Sequence, residues 1–316
     1  MIETVVSAGL PIDENLNIKK KRVTPIRPLK GDEKRISIVT GIHGDELEGQ
    51  YVCYQLLKRI YDNISMLDGI VDIYPAMNPL GIDSITRGIP GFDLDMNRIF
   101  PGNRNGSMTE YVASEIINDI SGSSACVDIH ASNIYLKEIP QIRINEISQE
   151  KLIPLAKLLN VDFIWVHSAA TVLESTLAYS LNEIGVPTLV VEMGVGMRIT
   201  KEYCNQLVDG IFCLMKELGI WSGDVITPKE PIVSVDRNVN FINAVAAGIF
   251  VPEVDHWKNI KKDEVIGNIL NPLTGSVVDR ILSPCNGIVF TLREYPVVDE
   301  GSLIARILES ATEEKQ

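Results

Sequence analysis

The stretch Arg35-Ile-Ser-Ile-Val-Thr-Gly-Ile-His-Gly-Asp-Glu46 decides how this chain is read. Its first half is a short apolar run that reads as a strand, and Gly41 lets the backbone turn sharply where that run ends. His43 and Glu46 follow, three residues apart. Side chains at the carboxyl end of a strand can share one crevice, which is where open α/β sheets bind ligands. His and Glu at this spacing supply two thirds of a catalytic zinc site, whose third ligand would be a distant His. A blander role is open to the same residues. Asp45 and Glu46 would also complement the first turn of the helix that follows.

Outward from this stretch, strand-like runs recur at 69–75, 124–130, 162–166 and 187–193. Helical spacing fills the intervals: Glu46 to Tyr61, Thr109 to Ile120 (opening like an N-cap), Thr176 to Ile184, and Thr200 to Leu218 with Gly219 as its C-cap. This alternation predicts an α/β fold with a mixed, mostly parallel sheet and helices on both faces. Residues 1–30 are polar and extended, and their basic run Lys19-Lys-Lys-Arg22 reads as a solvated hairpin face. After about residue 225, prolines 228, 231 and 252 punctuate short β-rich pieces. Gly248-Ile-Phe-Val with its closing run from Asp263 resembles Gly287-Ile-Val-Phe with its closing run from Asp299. Such a repeat predicts a small all-β sandwich of lipoyl type over 226–316, beside an α/β domain over 1–225. A carrier domain needs an exposed lysine between methionines at a hairpin tip. None is visible, so the tail reads as structural or rim-forming.

The 316 residues are 45% hydrophobic and 22% charged, which suits a globular protein with a sizeable core. A net charge of -13 argues against a nucleic-acid partner. No apolar run approaches the roughly 18 residues needed to span a bilayer. The N-terminus carries Glu3 where a secretory leader would be basic. Five scattered cysteines without a C-x-x-C pair read as reduced, buried thiols, so a cytoplasmic location is expected. Homo-oligomerisation is left open.

His130, closing the run Val127-Asp-Ile-His, is the candidate third ligand. Asp128 lies on the same strand face, as an outer partner of that imidazole or as an ordinary structural acid. His167 and His256 read as ordinary polar residues. A His₂Glu set leaves one coordination position for water, and a zinc ion there acidifies that water and polarises a carbonyl. Glu192, at the end of the apolar run Thr188-Leu-Val-Val-Glu, is costly to bury without a partner or a task. It could shuttle a proton, or simply meet solvent at a strand end. The long Gly/Pro-rich segment 78–102 carries Arg87, Asn97 and Arg98. Loops of that length are usually functional, and an arginine fork suits a carboxylate or an oxyanion.

The motifs His43-Gly-Asp-Glu46, Asn78-Pro-Leu-Gly, Asp95-Met-Asn-Arg-Ile-Phe-Pro-Gly102, Asp128-Ile-His130 and Val191-Glu-Met-Gly194 stand in the order seen in the succinylglutamate desuccinylase/aspartoacylase family. The chain resembles that family over roughly 35–310. The resemblance implies a zinc carboxypeptidase-like fold, one Zn²⁺ on His43, Glu46 and His130, and Glu192 as general base and acid. It implies Arg87 as the group polarising the scissile carbonyl, with Asn97 and Arg98 binding a substrate carboxylate. The implied reaction is hydrolysis of an N-acyl amino acid to a carboxylate and an amine. Two departures stand out. Met96 replaces a leucine, and Ala178, in Ser175-Thr-Leu-Ala-Tyr, falls where aspartoacylases proper have an arginine. The second argues against acyl-aspartate specificity and for a broader deacylase. A peptide-cleaving metallocarboxypeptidase and a non-catalytic metal-binding protein are the alternatives.

Overall fold

A computed structural model describes residues 1–168, 174–235 and 238–310. A hairpin of β1 (Ile2–Gly9) and β2 (Asn15–Val23) precedes β3 (Arg35–Thr40), β4 (Ile70–Tyr74), β5 (Ala125–Ala131), β6 (Leu136–Asn145), β7 (Phe163–His167) and β8 (Thr188–Gly194). The helices are α1 (Glu48–Asp62), α2 (Pro79–Ser84), α3 (Met108–Ile120), α4 (Gln149–Ala156), α5 (Leu177–Glu183) and α6 (Lys201–Glu217). The strand expected at Arg35 is β3, and it pairs in parallel with β4 and β5. In turn β5 pairs in parallel with β8, while β6 runs antiparallel to β8 and β2 antiparallel to β4. The sheet is therefore mixed, as expected, but among the described residues it is not mostly parallel, because the N-terminal hairpin and the strands after residue 225 join it largely by antiparallel pairing.

Alternation along the central strands decides where chemistry can sit. Ala125, Val127 and Ile129 of β5, with Leu189, Val191 and Met193 of β8, join one buried cluster with α1, α4 and α6. A side chain in a strand points to the face opposite its neighbour's. Asp128, His130 and Glu192 are thereby left on the other face, where α3 and α5 cover a second cluster.

Strand β6 was not visible in the sequence, because Pro140 interrupts it and proline demotes a run as a strand candidate. The cap of α3 is Ser107, two residues before the expected Thr109, in a capping box with Glu110. The basic run 19–22 is a solvated face only in part: Lys19 is exposed and Lys21 half-buried, while Lys20 and Arg22 are engaged. Lys20 is 3% exposed and is held by Asp119 at 2.7 Å. Arg22 forms a two-pronged pair with Asp72 at 2.7 Å on each prong.

The C-terminal strands are β9 (Ile232–Val235), β10 (Val239–Asn243), β11 (Gly248–Pro252), β12 (Lys258–Ile260), β13 (Val265–Asn271), β14 (Ser276–Leu282), β15 (Gly287–Arg293), β16 (Val297–Val298) and β17 (Leu303–Glu309). The repeat appears in their pairing. β11 runs antiparallel to β13 as β15 does to β17, and each opening strand takes the other repeat's short middle strand, β16 on β11 and β12 on β15. A separate antiparallel sheet of β14, β13, β11 and β16 shares one apolar cluster with β15 and β17. The remaining C-terminal strands extend the main sheet, because β15 pairs with β6 and β9 with β7. No described helix is long and apolar enough to cross a membrane.

Candidate metal centre

His43 and Glu46 lie in the loop between β3 and α1, which the sequence holds open by close packing. Gly41 adopts φ 71°, a left-handed conformation suited to glycine. A Cβ on Gly44 would lie 2.0 Å from the carbonyl carbon of Gly81, so the loop rests directly on the backbone of α2. Asn78 fixes that helix, accepting from Gly81 N at 2.9 Å and donating to Gly88 O at 3.0 Å. The Asn78-Pro-Leu-Gly motif thus locks the floor beneath His43 and brings Arg87 to its side.

His43, Glu46 and His130 converge and are all buried, at 3%, 4% and 4% exposure. Glu46 Oε1 lies 2.8 Å from His43 Nδ1 and its Oε2 lies 3.0 Å from His130 Nδ1. The two Nδ1 atoms are 3.3 Å apart. Donors about 2.1 Å from one zinc ion in a tetrahedron stand about 3.4 Å from each other, so the triangle has the right size and the donors the right type. The outer nitrogens have acidic neighbours. His43 Nε2 is 3.0 Å from Asp95 Oδ1, and His130 Nε2 is 3.2 Å from Asp128 Oδ1, without hydrogen-bond alignment. Burial disfavours protonated imidazoles, but Asp95 and Glu46 outweigh it at His43 and hold its pKa above the ordinary value. At His130, Asp128 and Glu46 outweigh burial by more. Glu46 is held well below its ordinary range: burial opposes this, and the two imidazoles prevail. The cluster therefore favours positive charge at its centre, as a cation site should.

Glu192 sits beside it, in register with His130 across the parallel pair β5–β8. Burial pushes its carboxyl up to about 7, against the pull of Arg143, whose Nη1 is 3.1 Å from Glu192 Oε1. Arg87 donates to Glu46 Oε1 at 2.9 Å and stands 3.6 Å from Asp95, with 43% of its side chain exposed. Asn97 and Arg98 lie in a 3₁₀ turn capped by Asp95, and Asn97 Oδ1 accepts from Leu177 N at 2.9 Å. All the expected residues except Glu46 line one cleft of about 380 Å³, with Glu46 just behind its wall.

The cleft also contains residues the sequence did not single out. Arg143 and Asn145 come from β6, and Tyr179 and Asn182 come with Ala178 from α5. His167, expected as an ordinary polar residue, lines it too. The signal for β6 was the alternation of Gln141, Arg143 and Asn145 with Ile142 and Ile144. His256 is structural, with its Nε2 2.8 Å from Phe290 O.

The family described as the succinylglutamate desuccinylase/aspartoacylase catalytic domain matches residues 32–218. An N-alpha-acetyl-L-2,4-diaminobutyric acid deacetylase of Halomonas elongata is 24% identical over 311 residues, covering 95% of this chain and 90% of that protein. A succinylglutamate desuccinylase/aspartoacylase from Rhodobacter sphaeroides shares the fold, with TM-score 0.80 and 21% identity over 99% of this chain and 96% of that one. The product-bound ectoine utilization protein EutE (DoeB) of Ruegeria pomeroyi also shares it, with TM-score 0.83 and 17% identity over 98% and 95%.

Proposed function

The chain belongs to the succinylglutamate desuccinylase/aspartoacylase family, and from that membership we propose that it is a zinc-dependent deacylase that splits the amide bond of a small N-acyl amino acid. The observation that carries this reading is the pairing of a buried His43–Glu46–His130 triangle with Glu192 one strand away, in a single cleft. In this reading His43, Glu46 and His130 hold the ion. When bound, zinc supplies Lewis acidity toward a water and the scissile carbonyl.

The protein's own groups do the rest. Glu192, with its pKa near 7, takes the proton released on attack at the carbonyl and delivers it to the leaving amine nitrogen. Arg87, held by Glu46 and Asp95, turns its exposed guanidinium toward the carbonyl oxygen as negative charge develops there. Arg98, exposed at the cleft wall, pairs with a substrate carboxylate beside the Asn97 amide. Ala178, 7% exposed, lines the cleft without adding the charge that an acyl-aspartate would meet, which fits a broader deacylase. The Halomonas relative's name makes acetyl the first candidate. Residues 1–225 form the hydrolase unit in this account and 226–316 the β-rich unit. Five buried free cysteines suit a reducing cytoplasm.

A panel of N-acetyl and N-succinyl amino acids, including N-acetyl-2,4-diaminobutyrate, with short peptides as controls, tests the proposal by amine release from zinc-loaded protein. Release from acyl amino acids above peptides is the expected result. No release from any of them, or failure to take up zinc on titration, overturns it.

A further inference from the structure

Glu138 is enclosed, with 1% of its side chain exposed, and four donor contacts converge on it. Arg143 Nη2 donates to both its oxygens at 3.0 and 2.9 Å, Thr291 Oγ1 donates at 3.3 Å, and Arg306 Nη1 donates to Oε1. Arg143 turns its other terminal nitrogen to Glu192, 3.1 Å away. A continuous line of alternating charge therefore runs from Arg306 on β17, through Glu138 and Arg143 on β6, to Glu192 on β8. Trp165, 2% exposed, sets its ring against both guanidiniums, 5.7 Å from Arg143 and 5.5 Å from Arg306. Phe241 meets Arg306 at 5.4 Å. The strands that carry this line are hydrogen-bonded, Glu138 lying opposite Thr291 where β15 joins β6.

We propose that Arg306 and Glu138 are positioning residues for Glu192, so that the C-terminal strands complete the proton-transfer apparatus of the cleft. The proposal rests on the reading of Glu192 as the proton-transfer group. Its physical basis is the sharing of one carboxylate between two cations. Charge-assisted contacts to an enclosed carboxylate such as Glu138 are strong and directional, so their balance fixes where Arg143 lies. With Arg306 present, Glu138 divides its attraction, and Arg143 spans Glu138 and Glu192. Without Arg306, the whole charge of Glu138 falls on Arg143 and draws it off Glu192. Arg143 lines the cleft and Arg306 does not. A change at 306 therefore reaches Glu192 without touching bound substrate.

The test uses the full-length, zinc-loaded chain carrying Arg306→Met, which keeps a stem against Trp165, and Arg306→Lys, which restores the charge, beside Glu192→Gln. On the acyl amino acid cleaved fastest by the parent, Arg306→Met is expected to lower kcat about 10- to 100-fold. Its KM is expected to stay within about twofold and its metal content at the parent level, and Arg306→Lys to recover part of the loss. Parent-like kcat, a loss confined to KM, or loss of metal overturns the proposal. A crystal structure of Arg306→Met decides it without any substrate. Arg143 is expected to leave hydrogen-bond reach of Glu192, and persistence of that contact overturns the proposal. Full turnover by Glu192→Gln instead overturns the reading of Glu192 itself, whatever the Arg306 variants do.

Discussion

His130 and Glu192 occupy one register position on adjacent parallel strands, so a metal-ligand candidate and a half-buried carboxylate share a face of the sheet at neighbouring positions. That relationship divides their duties and makes them separable. Glu192→Gln keeps the shape but cannot accept a proton. We expect turnover to fall by roughly 10²- to 10⁴-fold, the usual worth of a positioned acid–base group. Zinc stoichiometry should stay at the parent value. Measuring both on one preparation is decisive: loss of zinc with loss of turnover would place Glu192 among the ligands instead.

Glu46→Gln should do the reverse. Glu46 spans both imidazoles at 2.8 and 3.0 Å, and its neutral amide is a poor metal ligand. A ligand that binds only the folded state stabilises it by about 2.7 kcal/mol at a free concentration of 100 times its Kd. The parent's melting temperature is therefore expected to rise with added zinc and to fall on chelation. The Glu46→Gln curve should ignore both treatments. A variant that still responds to zinc as the parent does would remove Glu46 from the ligand set.

Gly44→Ala tests the close packing that shapes the loop. The added Cβ would meet the carbonyl carbon of Gly81 at 2.0 Å, and backbone on both sides cannot rotate away. Overpacking of this kind typically costs about 1–3 kcal/mol. Urea unfolding should show that loss together with weaker zinc binding, because His43 is the preceding residue. Parent-like stability would mean that the two backbone segments move apart easily.

The parts of this site legible in the sequence are those carried by local pattern. His43, His130 and Glu192 each sit at or just past the end of an apolar run, and strand ends over a parallel sheet face one crevice. Arg143 was hidden because Pro140 interrupts its strand, and because Glu192, with which it pairs, lies 49 positions away on β8. Lys20 was misjudged as solvated for a similar reason. Its partners Asp72 and Asp119 lie 52 and 99 positions away, and nothing in a run of four basic residues reports them. The joining of the tail to β6 is likewise a long-range pairing that local pattern does not carry.

Asp72 makes that buried charge cluster testable. It is fully enclosed, and Arg22 holds both its oxygens at 2.7 Å, with Arg35 at 3.4 Å and Lys20 at 3.5 Å. Removing one partner of a buried pair leaves cations without compensation, which costs about 3–5 kcal/mol. Asp72→Ala should lower the urea midpoint accordingly and loosen the N-terminal hairpin, read as faster amide exchange in β2. A change under about 1 kcal/mol would show that water or Asp119 takes over the charge.

Glu33 gives a pH dependence whose sign is fixed by its contacts. Lys30 N donates to it at 2.7 Å, Arg27 Nη1 at 2.7 Å and Gly31 N at 3.0 Å. Those donors, the backbone N–H of Lys30 foremost, lower its pKa from 4.5 to about 2. A carboxylate with a depressed folded-state pKa contributes stability that is complete above its unfolded pKa and fades as pH falls toward the folded one. The contribution should therefore be intact above pH 4.5 and disappear between there and about pH 2. Glu33→Gln lacks this titration. The gap in urea midpoint between parent and variant should be constant from neutral pH down to about pH 5 and should narrow below it. A gap that stays the same at pH 3.5 would show that the Glu33 carboxylate is not held by these donors in solution.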